Sequence, residues 1–170
     1  MLKISDKPIL EIILEQCIEA GFQNYYFSIN YLKEKIINHF QDGSKWGVNI
    51  QYLEEKQPLG TAGALSILPV KPKDPLLVLN GDVLTRTDFK KLMLFHDQEQ
   101  AEATICVRSH ETEVPYGVIS TQGQQAIQIE EKPVLSHQII AGLYVIEPSI
   151  IKFISKGLHC DMPDFLTKVL

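Results

Sequence analysis

An aspartate that closes an apolar run is the first residue whose position could serve chemistry. Asp82 ends the stretch PLLVLNGD, whose continuous apolar residues predict a strand buried on both faces. Gly81 permits a tight turn, so the Asp82 carboxylate could hold Mg²⁺ against phosphate oxygens at the carboxyl end of that strand. Alternatively, Asn80, Gly81 and Asp82 form an ordinary turn into the next helix. The local sequence leaves both interpretations open.

A carboxylate beside a lysine is the second candidate. Glu131 and Lys132 lie in the stretch IEEKP, directly before Pro133. Because successive strand residues point to opposite faces, both side chains could reach one ligand only if the strand ends or bulges there. The alternative is a solvated pattern of surface charges.

A pair of glycines in a helix-like stretch is the third candidate. LEEKQPLGTAGALSILP, residues 53–69, carries Gly60 and Gly63, each of which should cost a helix about 1 kcal/mol. With Gly60 as a turn, Thr61 could cap a helix running to Leu68, but this account leaves Gly63 unexplained. The glycines could instead expose backbone groups to a flat ligand such as a nucleobase.

The histidines and cysteines do not form a recognisable reactive group. The five histidines are scattered and lack an H-x-x-x-H pair, so we expect them at the surface or partly buried. The three cysteines lack C-x-x-C spacing, which favours reduced and mostly buried thiols. The sequence contains no G-x-S-x-G elbow, so nucleophilic catalysis lacks support.

Length and charge narrow the class of protein. A chain of 170 residues predicts a single domain. Sixteen basic against 21 acidic residues, with no cluster of Lys and Arg, argue against nucleic-acid binding. An anionic ligand would therefore need a metal ion, backbone N–H groups or a few placed lysines. Without an apolar run of membrane-spanning length or a secretory signal pattern, we expect no membrane association and a cytoplasmic protein.

The hydrophobic periodicity predicts alternating strands and helices. Helices are predicted over 6–20, 31–40 and 88–99, and strands over YYFSIN, GVNIQYL, PLLVLNGD and ATICV. This alternation indicates a doubly wound α/β fold, with a mostly parallel sheet and helices on both faces. After residue 107, the extended segments PYGVIS, QAIQIEEKP and QIIAGLYVIEP favour a mixed or antiparallel part, followed by short helical pieces.

In their order and spacing, these motifs resemble the sugar-1-phosphate nucleotidylyltransferases, which join a nucleoside triphosphate to a sugar phosphate. MLKISDKPILEIILE resembles the segment after the family's phosphate-binding loop, EEKQPLGTAGAL its nucleotide-base loop and LVLNGDV its metal-binding strand end. PYGVI, IEEKP and AGLYVIEP follow in the family's order. The resemblance covers the whole chain and implies a Rossmann-like, nucleotide-diphospho-sugar transferase fold.

The resemblance also implies roles for individual residues. Glu55, Gly60 and Thr61 would contact the base, and Asp82 would hold Mg²⁺ beside the ribose and phosphates. Lys132 corresponds to the lysine that meets the phosphate of the sugar. The residues implied around the sugar are Tyr116, Gly117, Glu131, Gly142 and Tyr144.

The implied reaction is attack by the phosphate oxygen of a sugar-1-phosphate on the α-phosphorus of a nucleoside triphosphate, which releases pyrophosphate. No protein nucleophile is required. Catalysis would rest on aligning two anions and neutralising charge, to which Lys132 and an Asp82-bound Mg²⁺ would contribute. The motif LGTAGAL is most similar to members that use guanine or uridine nucleotides, and we favour guanylyl transfer.

The sequence departs from the family pattern at three places. A first strand with a G-G-x-G-T-R-L loop is expected before Met1, and a W-x-D-I-G-like segment with a second metal-binding aspartate is expected after Leu170. Ile140 stands where the family often has asparagine. We therefore expect residues 1–170 to form a single, incomplete catalytic domain with little or no activity alone. A sheet without its first strand should expose an unpaired edge, which favours a homo-oligomer.

Two other classes of function compete with the transferase. A non-catalytic module of the same fold could bind a nucleotide or nucleotide sugar for regulation, although Asp82 and Lys132 argue against it. A structural or interaction domain would bind no nucleotide at all.

Overall fold

The computed structural model describes residues 3–4 and 6–170, so Met1, Leu2 and Ser5 of the segment MLKISDKPILEIILE lie outside the described residues. The chain divides into two compact units. The larger unit comprises residues 1–104 and 142–170, and the smaller unit comprises residues 105–141.

The first part of the larger unit alternates helices and strands as predicted. Its elements are β1 (Lys3–Ile4), β2 (Lys7–Pro8), α1 (Ile9–Glu19), β3 (Asn24–Ile29), α2 (Lys33–Phe40), a 3₁₀ turn (Ser44–Trp46) and β4 (Asn49–Glu54). Helix α1 begins three residues later than position 6 because Lys7 and Pro8 pair with β1 and Pro8 precedes the first helical residue. Strands β3 and β4 form a parallel pair from Asn24↔Asn49 to Ile29↔Glu54.

The rest of the larger unit contains the glycine-containing stretch and the buried C-terminal helix. Its elements are α3 (Gly60–Gly63), a 3₁₀ turn (Ala64–Ile67), β5 (Leu76–Leu79), α4 (Phe89–Gln98), a 3₁₀ turn (Ile150–Phe153) and α5 (Met162–Val169). Asp88 caps α4, its carboxylate accepting a hydrogen bond from the Lys91 amide at 3.1 Å.

The smaller unit is built from extended chain, as the sequence predicted. Strand β6 (Ala103–Glu113) enters it and β9 (Val134–Ile146) leaves it. Between them lie β7 (Gly117–Gln122) and β8 (Gln125–Glu131), which form an antiparallel hairpin.

Strand β5 differs from its prediction. Its four residues are half-buried rather than fully buried, and it pairs antiparallel with β9, from Leu76↔Ile146 to Leu79↔Leu143. The strand order β5-β9-β6 leaves β5 at a sheet edge among the described residues, which accounts for its partial exposure. The sequence predicted a mostly parallel sheet with an antiparallel C-terminal part, and the described parallel pair is β3–β4, which forms a separate sheet.

Two apolar clusters stabilise the larger unit. One surrounds Phe40, which packs with Leu14 and Ile50, and whose ring meets that of Phe27 edge-on at 5.2 Å between centroids. The other lies between α3, the end of β9 and α5, and its buried members are Ala62, Tyr144, Ile146, Ile150, Ile154, Cys160, Met162, Phe165 and Leu166. Within residues 3–4 and 6–170, no helix is both long and apolar enough to cross a membrane.

Replacing the fully buried Phe40 should test the first cluster. We expect Phe40→Ala to lower the free energy of unfolding by about 3–5 kcal/mol, because it removes an aromatic ring from a packed core. Phe95→Ala is the matched control, since Phe95 is 51% exposed on α4 and should change stability by less than about 0.5 kcal/mol. Urea denaturation of both variants measures the difference, and equal losses would contradict the packing described here.

Candidate functional site

The aspartate predicted to bind metal lies in an exposed turn directly after β5. The turn is closed by the Val83 amide, which donates to the Asn80 carbonyl at 3.2 Å. The Asp82 side chain is exposed, and within the described part of the chain no other side chain pairs with its carboxylate. The turn interpretation is therefore confirmed, and because the turn presents the carboxylate to solvent, the metal-binding role of Asp82 stays a prediction.

Gly142 is the predicted sugar-site residue that the structure brings to this turn. The Asn80 amide donates to the Gly142 carbonyl at 3.0 Å. Gly142 has a φ of +72°, and a Cβ atom there would lie 2.7 Å from Asn80 Nδ2 and 3.1 Å from Val83 Cγ2. Glycine is required here both for the left-handed backbone and for the close approach of the turn.

The carboxylate of Glu55 organises the start of the glycine-containing loop. It accepts a hydrogen bond from the Leu59 amide at 2.8 Å and another from the Ser28 hydroxyl. The Glu55 backbone is itself fixed, since its amide donates to the Ile29 carbonyl and its carbonyl accepts from the Asn30 side chain. Glu55 therefore closes a tight loop from the end of β4 to α3.

The two glycines of α3 are explained by a distant segment of the chain. Gly60 has a φ of +76°, and its Cβ would lie 2.7 Å from both the Cys160 carbonyl oxygen and Asp161 Oδ1. A Cβ at Gly63 would lie 2.8 Å from the Leu158 carbonyl oxygen. The sequence suggested that these glycines make room for a nucleobase, but the atoms that approach them in the structure belong to residues 158–161. The lack of a side chain at Gly60 and Gly63 therefore permits the close contact with residues 158–161.

Thr61 does not cap its own helix, which corrects the sequence-based prediction. Helix α3 already begins at Gly60, after Leu59, and helical structure continues through the 3₁₀ turn to Ile67. The Thr61 hydroxyl instead accepts a hydrogen bond from the Met162 amide at 2.7 Å, at the first residue of α5. The side chain thus caps a helix that lies about 100 positions later in the sequence.

Tyr144 lies in the hydrophobic core of the larger unit. It pairs with Val78 across β5 and β9 and is only 4% exposed, in the cluster that contains Ala62 and Met162. Burial raises the pKa of its phenol above the ordinary value. Its aromatic ring therefore packs beneath α3.

Four predicted sugar-site residues meet at the open end of the β7–β8 hairpin in the smaller unit. Gly117 stands directly opposite Glu131, and a Cβ on Gly117 would lie 3.1 Å from the Glu131 carboxylate. The Lys132 amide donates to the Tyr116 carbonyl at 3.3 Å. Tyr116, Gly117, Glu131 and Lys132 are all exposed.

Strand β8 ends at Glu131, just before Lys132. The strand therefore ends where it must if the side chains of Glu131 and Lys132 are to reach one ligand. Lys132 follows with a φ of +48° in the left-handed region. The alternation of side chains therefore stops between Glu131 and Lys132. A lysine in this conformation is unfavourable by about 1–2 kcal/mol, a cost more often tolerated at functional positions.

The histidines and cysteines hold no metal cluster in the described ranges. No group of three or more His, Cys, Asp or Glu side chains there could bind a metal ion. His96 is buried, contrary to the sequence-based expectation, because Thr104 and Glu147 contact its two ring nitrogens at 2.8 and 3.3 Å. Burial raises the pKa of the Cys17 thiol to about 12, which disfavours the reactive thiolate form.

Sequence reasoning missed two residues that shape the loop. Ser28 bonds the Glu55 carboxylate, and nothing in YYFSIN distinguishes it. Asp161 accepts a hydrogen bond from the Thr61 amide at 3.2 Å. An aspartate before Met-Pro is a recognisable helix start, but its contact with Thr61 depends on tertiary structure.

Comparison with known proteins identifies the fold and the family of the chain. The crystal structure of HddC from Yersinia pseudotuberculosis complexed with GMP-PN has a TM-score of 0.69 at 24% identity, covering 99% of this chain and 75% of that chain. This similarity confirms the predicted α/β fold of the nucleotide-diphospho-sugar transferases. Residues 1–169 match the nucleotidyl transferase family, and the chain belongs to that family.

Two enzymes represent the relatives at the level of sequence. The mannose-1-phosphate guanyltransferase of Yarrowia lipolytica is 35% identical over 162 residues, which cover 91% of this chain and 45% of that protein. The UTP–glucose-1-phosphate uridylyltransferase of Synechocystis sp. is 32% identical over 181 residues, which cover 95% and 47%. The chain thus spans just under half the length of these relatives.

A methyl group at Gly60 should destabilise the protein more than the same group at an open glycine. Gly47 is the matched control, because its φ of +70° is similar and no atom lies within 4 Å of its Cβ position. We expect Gly47→Ala to cost about 1–2 kcal/mol from backbone strain alone. Gly60→Ala should cost about 1–3 kcal/mol more, because the methyl group collides with backbone atoms. Thermal and urea denaturation give the comparison, and equal costs would contradict the close approach of Cys160.

Proposed function

We propose that this chain is a nucleotidyl transferase unit that serves the transfer of a nucleoside monophosphate from a nucleoside triphosphate to a sugar-1-phosphate, yielding a nucleotide sugar and pyrophosphate. The observation that carries the proposal is the exposed Asp82 carboxylate, presented by a turn packed against Gly142 in a chain of this family. Sugar-1-phosphate nucleotidylyltransferases among the relatives support the same activity. They do not favour a non-catalytic module.

The groups proposed to bind the nucleotide are the loop from Glu55 to Thr61 and the Asp82 carboxylate. Glu55 acts by fixing the backbone of this loop through the Leu59 amide, and a base could lie beside the backbone of Gly60. The Thr61 amide is already bonded to Asp161, so Thr61 would border the base without donating this amide to it. Backbone recognition suits a nucleobase, because its ring edge offers donors and acceptors to N–H and C=O groups. Glu55 would therefore act on the base through the loop.

The Asp82 carboxylate has the chemistry of a magnesium ligand. A hard cation takes oxygen ligands, and Mg²⁺ is commonly bound by one or two carboxylates together with substrate phosphates and water. Asp82 offers such a carboxylate at the end of a strand, within an exposed turn. When bound, the ion would neutralise charge on the phosphates, while Asp82 fixes where that charge is neutralised.

The groups proposed to bind the sugar phosphate lie at the open end of the β7–β8 hairpin. Glu131 offers a carboxylate for sugar hydroxyl groups, and Lys132 offers a cation for the phosphate. Tyr116 and Gly117 would flank the sugar, and the roles predicted for Gly142 and Tyr144 remain predictions. The net charge of the chain is −5, so an anionic substrate needs a local cation such as Lys132.

In the proposed reaction, a phosphate oxygen of the sugar-1-phosphate attacks the α-phosphorus and the bond to pyrophosphate breaks. The chain contributes alignment and charge, since neither step requires a protein nucleophile. Lys132 would neutralise part of the charge on the phosphate of the sugar. We propose guanylyl transfer in particular, which the guanyltransferase relatives support. A homo-oligomeric state and a cytoplasmic location remain predictions.

Removing the Asp82 carboxylate should abolish the magnesium dependence of nucleotide binding. We expect MgCl₂ to strengthen GTP binding to the unaltered chain about tenfold, and to leave the affinity of Asp82→Asn unchanged. Isothermal titration with and without MgCl₂ measures both. Asp74→Asn is the control, because Asp74 is exposed just before the opposite end of β5. Magnesium-dependent binding that survives Asp82→Asn would refute the proposed role of Asp82.

Replacing Lys132 by asparagine should separate the effect of its charge on binding from the effect of its left-handed backbone on stability. We expect Lys132→Asn to weaken mannose-1-phosphate binding by about tenfold or more, because a charged hydrogen bond is lost. The melting temperature should hold or rise, because asparagine tolerates the left-handed region better than lysine does. Arg108→Gln, at an exposed cation of the same unit, is the control. Unchanged binding in Lys132→Asn would remove Lys132 from the site.

A further inference from the structure

The loop proposed to bind the base is joined to the segment before α5 by backbone hydrogen bonds. The Cys160 amide donates to the Leu59 carbonyl at 2.8 Å. The Cys160 carbonyl accepts from the Ala62 and Gly63 amides at 2.9 and 3.0 Å. The amides of Cys160, Ala62 and Gly63 are therefore hydrogen-bonded to residues that lie far away in the sequence.

Two side chains add hydrogen bonds to this contact, one from each of the two segments. Neither helix start is capped by the side chain of its own N-cap residue, Leu59 for α3 and Asp161 for α5. Asp161 Oδ1 accepts from the Thr61 amide at 3.2 Å, while Thr61 Oγ1 accepts from the Met162 amide at 2.7 Å. Each helix start is thus capped by a side chain from the other. We call Thr61 and Asp161 the reciprocal caps.

The packing around the reciprocal caps makes the contact specific. Gly60 and Gly63 allow backbone atoms of residues 158–161 to approach to distances that a Cβ would forbid. Ala62, Cys160 and Met162 are buried beneath the caps in one apolar cluster. His159 Nε2 lies 3.9 Å from Asp161 Oδ1.

We propose that Asp161 is a positioning residue for nucleotide recognition, which it serves by capping α3 and thereby fixing the backbone of Gly60 and Thr61. This inference rests on the proposed function of the loop. Asp161 itself need not touch the nucleotide. It acts through the Thr61 amide, and loss of its cap leaves that amide without its partner and the loop less ordered.

The test uses the complete 170-residue chain and three variants. Asp161→Ala removes the acceptor, whereas Asp161→Asn keeps an oxygen at the same place and should restore the cap. Asp164→Ala is the matched control, because Asp164 is an exposed acid in the first turn of α5. Amide hydrogen exchange is followed by NMR at Thr61, Ala62 and Gly63, and titrations use GTP and inorganic tripolyphosphate.

The expected result has two parts. Asp161→Ala should accelerate exchange of the α3 amides, because it removes a helix cap, and should weaken GTP binding about fivefold to tenfold. Tripolyphosphate has no base, so its affinity should not change. Asp161→Asn should return both readouts towards those of the unaltered chain, and Asp164→Ala should match it. Loss of affinity for both probes would indicate general destabilisation and would overturn the proposal.

The two readouts separate this inference from the proposed function. If the unaltered chain binds no GTP, the proposed function fails and the positioning role fails with it. Hydrogen exchange then still decides whether the reciprocal caps couple α3 to α5. If GTP binds but Asp161→Ala leaves its affinity unchanged, the positioning role alone is refuted. If exchange at the α3 amides is unchanged, the coupling itself is refuted.

Discussion

The contact between α3 and residues 158–162 is the interaction on which the larger unit depends. It satisfies amides at two helix starts that would otherwise lack partners, and it closes the apolar cluster in which Ala62 and Met162 are buried. The main energetic contribution comes from the buried apolar side chains, because individual hydrogen bonds add only about 1 kcal/mol net. The hydrogen bonds determine instead where the loop lies. The apolar packing stabilises the unit, and the hydrogen bonds fix the position of the loop.

Much of this arrangement follows from local sequence, and the exceptions have a common cause. Helix α4 begins where Asp88 predicts it, and strand β8 ends at Glu131, close to the proline that follows Lys132. The reason for Gly60 was not predictable, because it lies in the backbone of Cys160. The role of Thr61 was missed for the same reason. A sequence pattern indicates that a side chain is excluded, but the atoms that exclude it are known only after the chain has folded.

The burial of individual residues could not be predicted from the local sequence either. The apolar run of β5 has the composition of a central strand, yet its exposure depends on how many strands pair with it. Tyr144 stands among motif residues that suggest a ligand, and the structure places its ring in the core. His96 gave no sign of burial, because its partners Thr104 and Glu147 come from other parts of the chain. Residue type indicates which chemistry is available, whereas tertiary structure determines access.

The chemical groups proposed for the two substrates are divided between the units. The larger unit contains the loop and the Asp82 turn, and the smaller unit contains Glu131 and Lys132. Each set is built on a rigid local feature: a strand end for Asp82 and a hairpin end for Lys132. Placing each group on a defined element limits the entropy lost when a ligand is bound.

The sequence separation between the reciprocal caps also bears on folding. Thr61 and Asp161 are 100 positions apart, so their hydrogen bond closes a long loop of chain. Closing such a loop costs conformational entropy before any contact compensates for it, and non-local contacts of this kind slow folding. During synthesis, α3 would emerge well before its partner and would remain incompletely capped until α5 follows. The loop proposed to recognise the base would therefore be among the last parts of the larger unit to reach its native conformation.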